Sequence, residues 1–384
     1  MISPERFLRY AAFLLTVSSR LIMPVLPIYI YEVLGASKQE VGAIISLAAV
    51  ASAFTRIPSS ILVMKGNILR IFVSGIWLNF IALLGYALST NPWMFGLFRV
   101  LHGVSFALNY TLMLSLASLI VRPDQAQRSI MSYAASIALG FWVGPALGVL
   151  LSFFLSLRML MFAAVGISLA VIFLAWAFTR SEPRLSEIYY SKIEFPVIRT
   201  LLMKPRLLPT VLYFLYSIVI GGVMAYAPLK ARLSFEIENQ LVILIFTGYF
   251  LITYITRTIL SRQVSRINYA EFLRFSMASC AIGVLAAGLA PNVWVFIAGI
   301  YLIAIAHGLT FPLTAAITAH IIPPSLRILG NSIYLTFWDA GNLLGPLIIA
   351  LILYFTSLSI ALAMTAVFAV LALLLTGKVV KIMA

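Results

Sequence analysis

The chain has 384 residues, of which 63% are hydrophobic and only 10% charged, with a mean hydropathy of +1.08. Soluble domains carry roughly 45–50% apolar residues, and no water-soluble fold of this length has room to hide the excess, so soluble enzymes and soluble binding modules are excluded. The net charge of +15 would point to nucleic acid in a soluble protein, but the basic residues here fall in the short polar segments between apolar runs, where a bilayer explains them better.

Runs of about 20 apolar residues, enough to cross a ~30 Å hydrocarbon core as a helix, predict twelve helices at 8–31, 40–63, 70–90, 93–121, 129–155, 158–179, 207–229, 240–260, 271–290, 292–322, 329–354 and 357–377. The first run exceeds the ~7–15 residues of a signal-peptide core and no A-x-A-like site follows it, so it is expected to stay in the chain. With this count, Arg6, Arg9, Lys65, Arg70, Arg122, Arg128, Arg257, Arg262, Arg266, Arg274, Arg327, Lys378 and Lys381 share one side with the stretch 180–206, against Lys38, Arg158, Lys230 and Arg232 on the other. The positive-inside rule then predicts a multi-pass cell-membrane protein with both termini cytoplasmic. Its partners would be the lipid bilayer and a small-molecule substrate, with no nucleic acid, and a monomer is expected. Cys280 lies inside an apolar run, which excludes a disulfide framework and a Cys-based metal site.

The stretch 180–206 holds Glu182, Glu187, Lys192 and Glu194 and cannot lie in lipid. It predicts a six-helix bundle at 1–179, a central cytoplasmic loop at 180–206 and a second six-helix bundle at 207–384. Internal repetition supports the division. Arg56 through Lys65 matches Arg257 through Arg266 at an offset of 201, as do Gly140-Phe-Trp-Val-Gly144-Pro145 with Gly341-Asn-Leu-Leu-Gly345-Pro346, and Trp93 with Trp294. His102-Gly-Val-Ser-Phe matches His307-Gly-Leu-Thr-Phe at 205 instead, either because about one helical turn is inserted after Trp294 or by chance. The fold class is therefore an all-α polytopic membrane protein with twelve transmembrane helices in two parallel six-helix pseudo-repeats.

Few charges are left at membrane depth. Arg20 lies roughly 14 residues, ~21 Å, from the inner end of the first helix. Arg99 is about seven residues inside the outer end of the fourth and is able to snorkel outward. A charge at the bilayer centre costs ~2.5–3.5 kcal/mol, so both should face protein or a wet cavity. Asp339 is the carboxylate that has no route to water. Ser332, Thr336, Asn342 and Pro346 share its helical face, and its repeat counterpart is Ala138, so the charge belongs to one half only. Burial favours the protonated carboxyl and a nearby arginine favours the charged form, which is the physics of a proton-coupling site; a fixed salt bridge that sets helix packing is the alternative. Arg20 and Arg99, both in the opposite half, are the expected partners. His102 and His307 lack a third ligand, so no metal or other cofactor is expected. The GxxxGP segments suit close helix approach and a kink, read either as packing alone or as a hinge where the halves meet, made of Gly140, Gly144, Pro145 and Gly148 with Gly341, Gly345 and Pro346.

These features together resemble the major facilitator superfamily. Gly140 to Gly148, reading Gly-Phe-Trp-Val-Gly-Pro-Ala-Leu-Gly, is similar to the helix-5 motif of that family's antiporters, and Arg99-Val-Leu-His102-Gly103 resembles the helix-4 motif whose Arg is associated with proton coupling. The helix 2–3 motif is degenerate, with Met64 where the family usually has Asp. The resemblance implies a transporter, not an enzyme, in which helices 1, 4, 7 and 10 line a central cavity. Asp339, Arg99 and Arg20 would serve proton coupling, and Arg20, Arg99, Phe106, Tyr110, Tyr216, Tyr226, His307, Phe311, Trp338 and Asp339 would face the cavity. Arg56, Lys65, Arg128, Arg257 and Arg266 would form a cytoplasmic gate. The expected function is proton-coupled export of a small organic or amphipathic solute by alternating access. The alternatives are a uniporter or importer of a sugar or organic anion with Asp339 structural, and a receptor or scaffold that keeps the fold without transport. A membrane-embedded enzyme finds no nucleophile, phosphate-binding or metal motif to support it.

Overall fold

The computed structural model describes residues 4–65, 68–119, 126–181, 208–263, 268–321 and 327–380. Nearly all of the central stretch 180–206 lies outside the described residues, as does Arg266, and nothing is described of the Lys65 and Arg128 side chains. Among the described residues every regular element is helical. The membrane-length segments are α1 (Pro4–Val33), α2 (Lys38–Lys65), α3 (Ile68–Leu88), α4 (Pro92–Leu119), α5 (Ala126–Ser152), α6 (Leu157–Ser181), α7 (Leu208–Phe235), α8 (Asn239–Gln263), α9 (Tyr269–Leu289), α10 (Val293–Ile321), α11 (Arg327–Ile352) and α12, which runs Leu358–Met364 and resumes as Ala366–Val380. Eleven of them are long and apolar enough to cross a bilayer. The other, α4, spans 28 residues and carries Arg99, His102, Ser105 and Asn109. Large apolar side chains stand outward, among them Phe154 at 86%, Phe355 at 81% and Trp294 at 76% exposure, an arrangement that only lipid makes favourable.

The first helix is not the continuous 8–31 segment that hydropathy suggests. Regular α-helix stops at Arg20, followed by a 3-10 turn at Met23–Val25, a short helix at Leu26–Ile28 and a π turn at Tyr29–Val33. Pro24 and Pro27 each lack the backbone N–H that the ladder needs. Gly35, at φ +75°, then turns the chain in the left-handed region that glycine adopts without a Cβ penalty. Ser37 and Glu40 open α2 as a reciprocal capping box, the Ser37 N–H donating to Glu40 Oε2 at 2.8 Å and the Glu40 N–H to Ser37 Oγ at 3.2 Å. In α12 the interruption falls at Thr365, whose hydroxyl donates back to the Leu362 carbonyl at 2.7 Å, a bond that competes with the ladder.

The repeat seen in the sequence is carried into the caps and crossings with the same 201-residue spacing. Asn91 accepts the Met94 N–H at 2.9 Å, and Asn292 accepts those of Trp294 and Val295 at 3.1 Å. Ser156 accepts from Met159 at 3.3 Å and Ser357 from Ile360 at 3.4 Å. Where α3 crosses α4, Ser105 donates to Gly75 O at 2.8 Å, and where α9 crosses α10, Ser276 donates to Ala306 O at 3.1 Å. All these pairs keep the offset of 201, so no helical turn is inserted after Trp294. The His-Gly match at 205 is displaced by one turn, and His102 and His307 are not equivalent positions.

Across the halves, α2 packs along α11 and α5 along α8. The end carrying Lys38 and Arg232 joins the two halves through polar contacts. There Tyr226 donates to Lys38 O at 2.8 Å, Gln240 to Ser152 O at 3.3 Å, and Arg232 pairs with Glu32 at 2.7 Å. One apolar core runs through both halves and includes Tyr29, Tyr86, Tyr226 and Phe246. A separate core around Phe7, Phe72, Leu112 and Phe178, toward the opposite end, belongs to the first half alone.

Candidate functional site

Asp339 is 3% exposed, and its partner is Arg56 of α2, itself 2% exposed. Arg56 Nε donates to Oδ2 at 2.7 Å and Nη2 to Oδ1 at 3.2 Å, the two-pronged geometry that a guanidinium offers a carboxylate. Ser52, one turn earlier on the same face of α2, donates to Oδ2 at 2.8 Å and accepts from Arg56 Nη2 at 3.2 Å. The Arg56 guanidinium also lies 5.7 Å from the Phe106 ring centre. This corrects one expectation: neither Arg20 nor Arg99 holds Asp339, and the partner is Arg56, a residue expected in the cytoplasmic gate. It lies 18 residues into α2 (56 − 38), roughly 27 Å along the helix axis. The pair does join the halves. Ser46 Oγ to Leu343 O at 3.0 Å continues the same α2–α11 seam.

Arg20 instead lays its guanidinium 4.0 Å from the centre of the Phe141 ring and donates to the Met23 thioether, and its Nε is buried without a hydrogen-bond partner. Arg99 donates to Ile45 O at 2.9 Å and to the Tyr86 hydroxyl at 3.3 Å. Tyr86 shares a 2.9 Å bond with His102, which reaches Ser19 at 3.3 Å. Ser19 leads to Asn79 at 3.4 Å, and Asn79 donates to Ser168 at 2.9 Å. This chain of polar groups ties α4, α3, α1 and α6 together inside the first half. The histidine is one link in it, consistent with the hydrogen-bonding role open to a buried imidazole.

In the second half, Tyr213 stacks between Tyr334 at 4.5 Å and Trp338 at 5.0 Å. His307 stands edge-on to Trp338 at 5.9 Å and bonds Tyr249 at 2.9 Å. Tyr216 and Phe311 border the same cluster, at 6.2 Å from His307 and 6.1 Å from Tyr213 respectively. In the first half, Phe106 and Tyr110 lie 4.3 Å apart, and Tyr110 shares a 3.0 Å bond with Thr16. Tyr226 does not belong with these aromatics: it closes the Lys38 end, far along α7. The sequence reading does not single out Tyr213, Tyr334, Tyr86, Ser52 or Asn79. Tyrosines and small polar residues are frequent along apolar helices, and only the tertiary fold distinguishes these.

Arg257 of α8 is the repeat counterpart of Arg56, and Thr253 that of Ser52. Ala138, Phe141, Phe250, Thr253, Tyr254, Arg257 and His307 line a small cavity of about 10 Å3 between α5, α8 and α10, room for about one water. Arg257 Nη2 reaches His307 O at 3.5 Å, the guanidinium lies 5.3 Å from the Phe311 ring centre, and Nε is buried without a hydrogen-bond partner. The described residues contain two salt bridges, Arg56–Asp339 and Arg232–Glu32; Arg20, Arg99 and Arg257 take part in neither.

Of the two readings of the glycine segments, the contacts fit close helix packing. A Cβ at Gly140 would meet Thr16 Cβ at 2.7 Å and Phe13 O at 3.0 Å, and one at Gly144 would meet Val17 O at 3.0 Å. In the second half a Cβ at Gly341 would meet Phe214 O at 2.7 Å, and one at Gly345 the Gly222 nitrogen at 2.6 Å. Gly148 likewise abuts the Leu21 carbonyl. These faces therefore seat α5 on α1 and α11 on α7, each inside its own half, because close backbone approach is what glycine permits. Pro145 and Pro346 lie inside their helices. Toward the opposite half, a Cβ at Gly148 would lie 3.6 Å from Ile243 of α8, and one at Gly42 of α2 would meet the Pro346 carbonyl at 2.7 Å.

Among the described residues, twelve membrane-length helices surround a buried ion pair that joins the first part of the chain to the second. A family model described as Major Facilitator Superfamily matches residues 10–238 and again 210–381, and the chain belongs to that superfamily. It is a multi-pass membrane transporter and not an enzyme. Solved structures with the same fold include a point mutant of the nucleoside transporter NupG, at 12% identity and a TM-score of 0.79 over 98% of this chain and all of that one. A bacterial homologue of the human lysosomal transporter Spinster, inward-facing and occupied, has 15% identity and a TM-score of 0.76 over 98% and 96%. The human organic anion transporter MFSD10 has 14% identity and a TM-score of 0.68 over 97% and 98%. No curated protein matches the chain in sequence.

Proposed function

We propose that the protein is a secondary transporter that exports a small organic or amphipathic solute by alternating access, coupled to protons through Asp339. The observation that carries the reading is the buried pair Arg56–Asp339, which bridges the two halves that alternating access must move apart. Charged, the carboxylate holds the guanidinium through two charge-assisted bonds. Protonated, it loses the Coulombic attraction and one acceptor site, so the seam between α2 and α11 weakens. A proton thereby biases which arrangement of the halves is favoured, as a differential interaction must. Export follows from the likeness of Gly140 to Gly148 to the antiporter motif. Both termini are assigned to the cytoplasm by the distribution of Lys and Arg, the membrane is the cell membrane, and the unit is a monomer of two six-helix bundles joined by the stretch 180–206.

One observation favours a second reading. Both Asp339 oxygens are satisfied, with Ser52 supplying a third bond, as suits a permanent brace in a uniporter or importer of a sugar or organic anion. The test starts from a solute found by thermal-shift screening of the purified protein, since a ligand stabilises the state that binds it. In liposomes, Asp339→Asn should lose accumulation driven by a pH gradient while keeping solute exchange at equal pH. Unchanged gradient-driven accumulation would remove the proton role and leave the brace.

A further inference from the structure

Inside the first half, polar side chains run as one hydrogen-bonded chain from Arg99 of α4 through Tyr86 of α3, His102 of α4, Ser19 of α1 and Asn79 of α3 to Ser168 of α6. The offset of 201 places Ile300, Ala287, Ile303, Ile220, Cys280 and Ala369 at the same positions of the second half, and every one of these is buried. The second half thus closes around these positions with no charged or hydroxyl group. Replacing both partners of a buried hydrogen bond by apolar groups is close to neutral for stability. The fold therefore does not call for the polar set, and its confinement to one half points to a task that only the first half performs.

The arginine end shows the task. Arg99 Nη2 donates to the Ile45 carbonyl of α2 at 2.9 Å and Nη1 to the Tyr86 hydroxyl at 3.3 Å. Ser46, the next residue of α2, donates to Leu343 O of α11 at 3.0 Å, and Ser52 and Arg56 hold Asp339 further along the same helix. Arg99 therefore grips α2 beside its seam with α11. Gly103, one turn from Arg99, brings α4 onto the backbone of Ala48, so the grip and the close packing fall on the same stretch of α2. We infer that Tyr86 and His102 are positioning residues for Arg99 and that, through the Ile45 carbonyl, they set the place of α2 from which Arg56 meets Asp339. The inference deepens the transporter reading above and rests on it for what the seam does.

Donor and acceptor chemistry fixes the direction of the chain. A guanidinium only donates, so the Tyr86 oxygen accepts from Arg99, and its single proton goes to His102 Nδ1 at 2.9 Å. An imidazole that accepts at Nδ1 is the neutral tautomer with its proton on Nε2, and that proton goes to Ser19 Oγ at 3.3 Å. Ser19 donates to Asn79 Oδ1 at 3.4 Å, and Asn79 Nδ2 to Ser168 Oγ at 2.9 Å. Every bond points away from Arg99. With the other tautomer, Tyr86 would accept twice and bury an unpaired hydroxyl proton, which is costly. By taking that proton, His102 turns the tyrosine oxygen toward Arg99.

The test uses the detergent-purified full chain. The protein has three histidines, and nitrogen NMR of isotope-labelled histidine, with His102→Gln for assignment, reads their protonation. His102 should be one neutral tautomer with its proton on Nε2 throughout the neutral pH range. A proton on Nδ1, or a charged ring, would overturn the inference. The second measurement is thermal unfolding of Tyr86→Phe, Asp339→Asn and the double variant. Tyr86 and Asp339 share no partner in the bonds above, and such sites normally add. Y86F should instead reduce the Tm loss caused by D339N to about half or less, because α2 no longer presents Arg56 squarely to the carboxylate. Additive losses would make the chain a scaffold within the first half and overturn the inference. Should Y86F fail to fold, His102→Ile, the residue of the second half, enters the same cycle. Failure of the transporter reading is separable: gradient-driven accumulation that survives D339N would remove the proton role while the tautomer and the non-additivity stand.

Discussion

Removing one member of the Arg56–Asp339 pair should damage the protein far more than removing both. At about 3 Å and an effective dielectric near 20, the attraction is roughly 5 kcal/mol, comparable with the several kcal/mol that it costs to take each ion out of water. The pair is thus near balance as a whole, but Arg56 and Asp339 are 2% and 3% exposed, so a survivor has no water to turn to. Arg56→Met and Asp339→Leu should each destabilise by about 3–5 kcal/mol, and the double variant R56M/D339L should recover most of that loss. The coupling appears as non-additivity in a double-mutant cycle, read as the midpoint of thermal unfolding in detergent by fluorescence-detected gel filtration. A double variant whose loss equals the sum of the single losses would refute the reasoning.

Other expectations follow from the same geometry. Glu32→Gln, at the half-exposed Arg232 pair, should change stability by less than about 1 kcal/mol, and a loss comparable to that of R56M would mean that the Lys38-end junction is the stronger bond between halves. Gly345→Ala should cost about 1–3 kcal/mol, because the new methyl meets the backbone of Ile218 and Gly222. Gly166→Ala, with nothing within 4 Å of the added Cβ, should be neutral or gain a few tenths of a kcal/mol; equal Tm losses for the two would contradict the packing. Native Cys280 is buried, so Ser234→Cys on intact cells should be labelled by a membrane-impermeant maleimide, and protection of that cysteine until the cells are lysed would reverse the assigned orientation.

The helices and their repeat were legible because twelve apolar runs have little freedom in a bilayer: each must satisfy its own backbone by forming a helix. The offset of 201 was equally legible, since it survives in residues with a fixed mechanical task, such as the Gly140 and Gly341 faces and the Asn91 and Asn292 caps. The partner of Asp339 was not. Arg56 was expected in a cytoplasmic gate with other basic residues, and Arg20 and Arg99 were expected as the partners of Asp339. Helix periodicity alone does not say which of several arginines a distant helix presents to a carboxylate. The alignment nevertheless held the needed clue, because it equates Ala138 with Asp339 and Arg257 with Arg56. Only the packing of α2 on α11 and of α5 on α8 reveals that these four positions face one another in pairs. The glycine segments were legible as close-packing faces, but their neighbours were not, since sequence spacing gives the contact distance and not the helix on the other side.

The central claim is that the charge on Asp339 is tied to solute movement, and proton flux measured beside solute flux tests it most directly. Liposomes containing the protein and a trapped pH-sensitive dye would be given a gradient of the transported solute with no initial pH difference. The account predicts proton movement opposite to the solute in the wild type and none with D339N, while solute exchange continues in both. Solute flux in the wild type with no accompanying proton movement would contradict it.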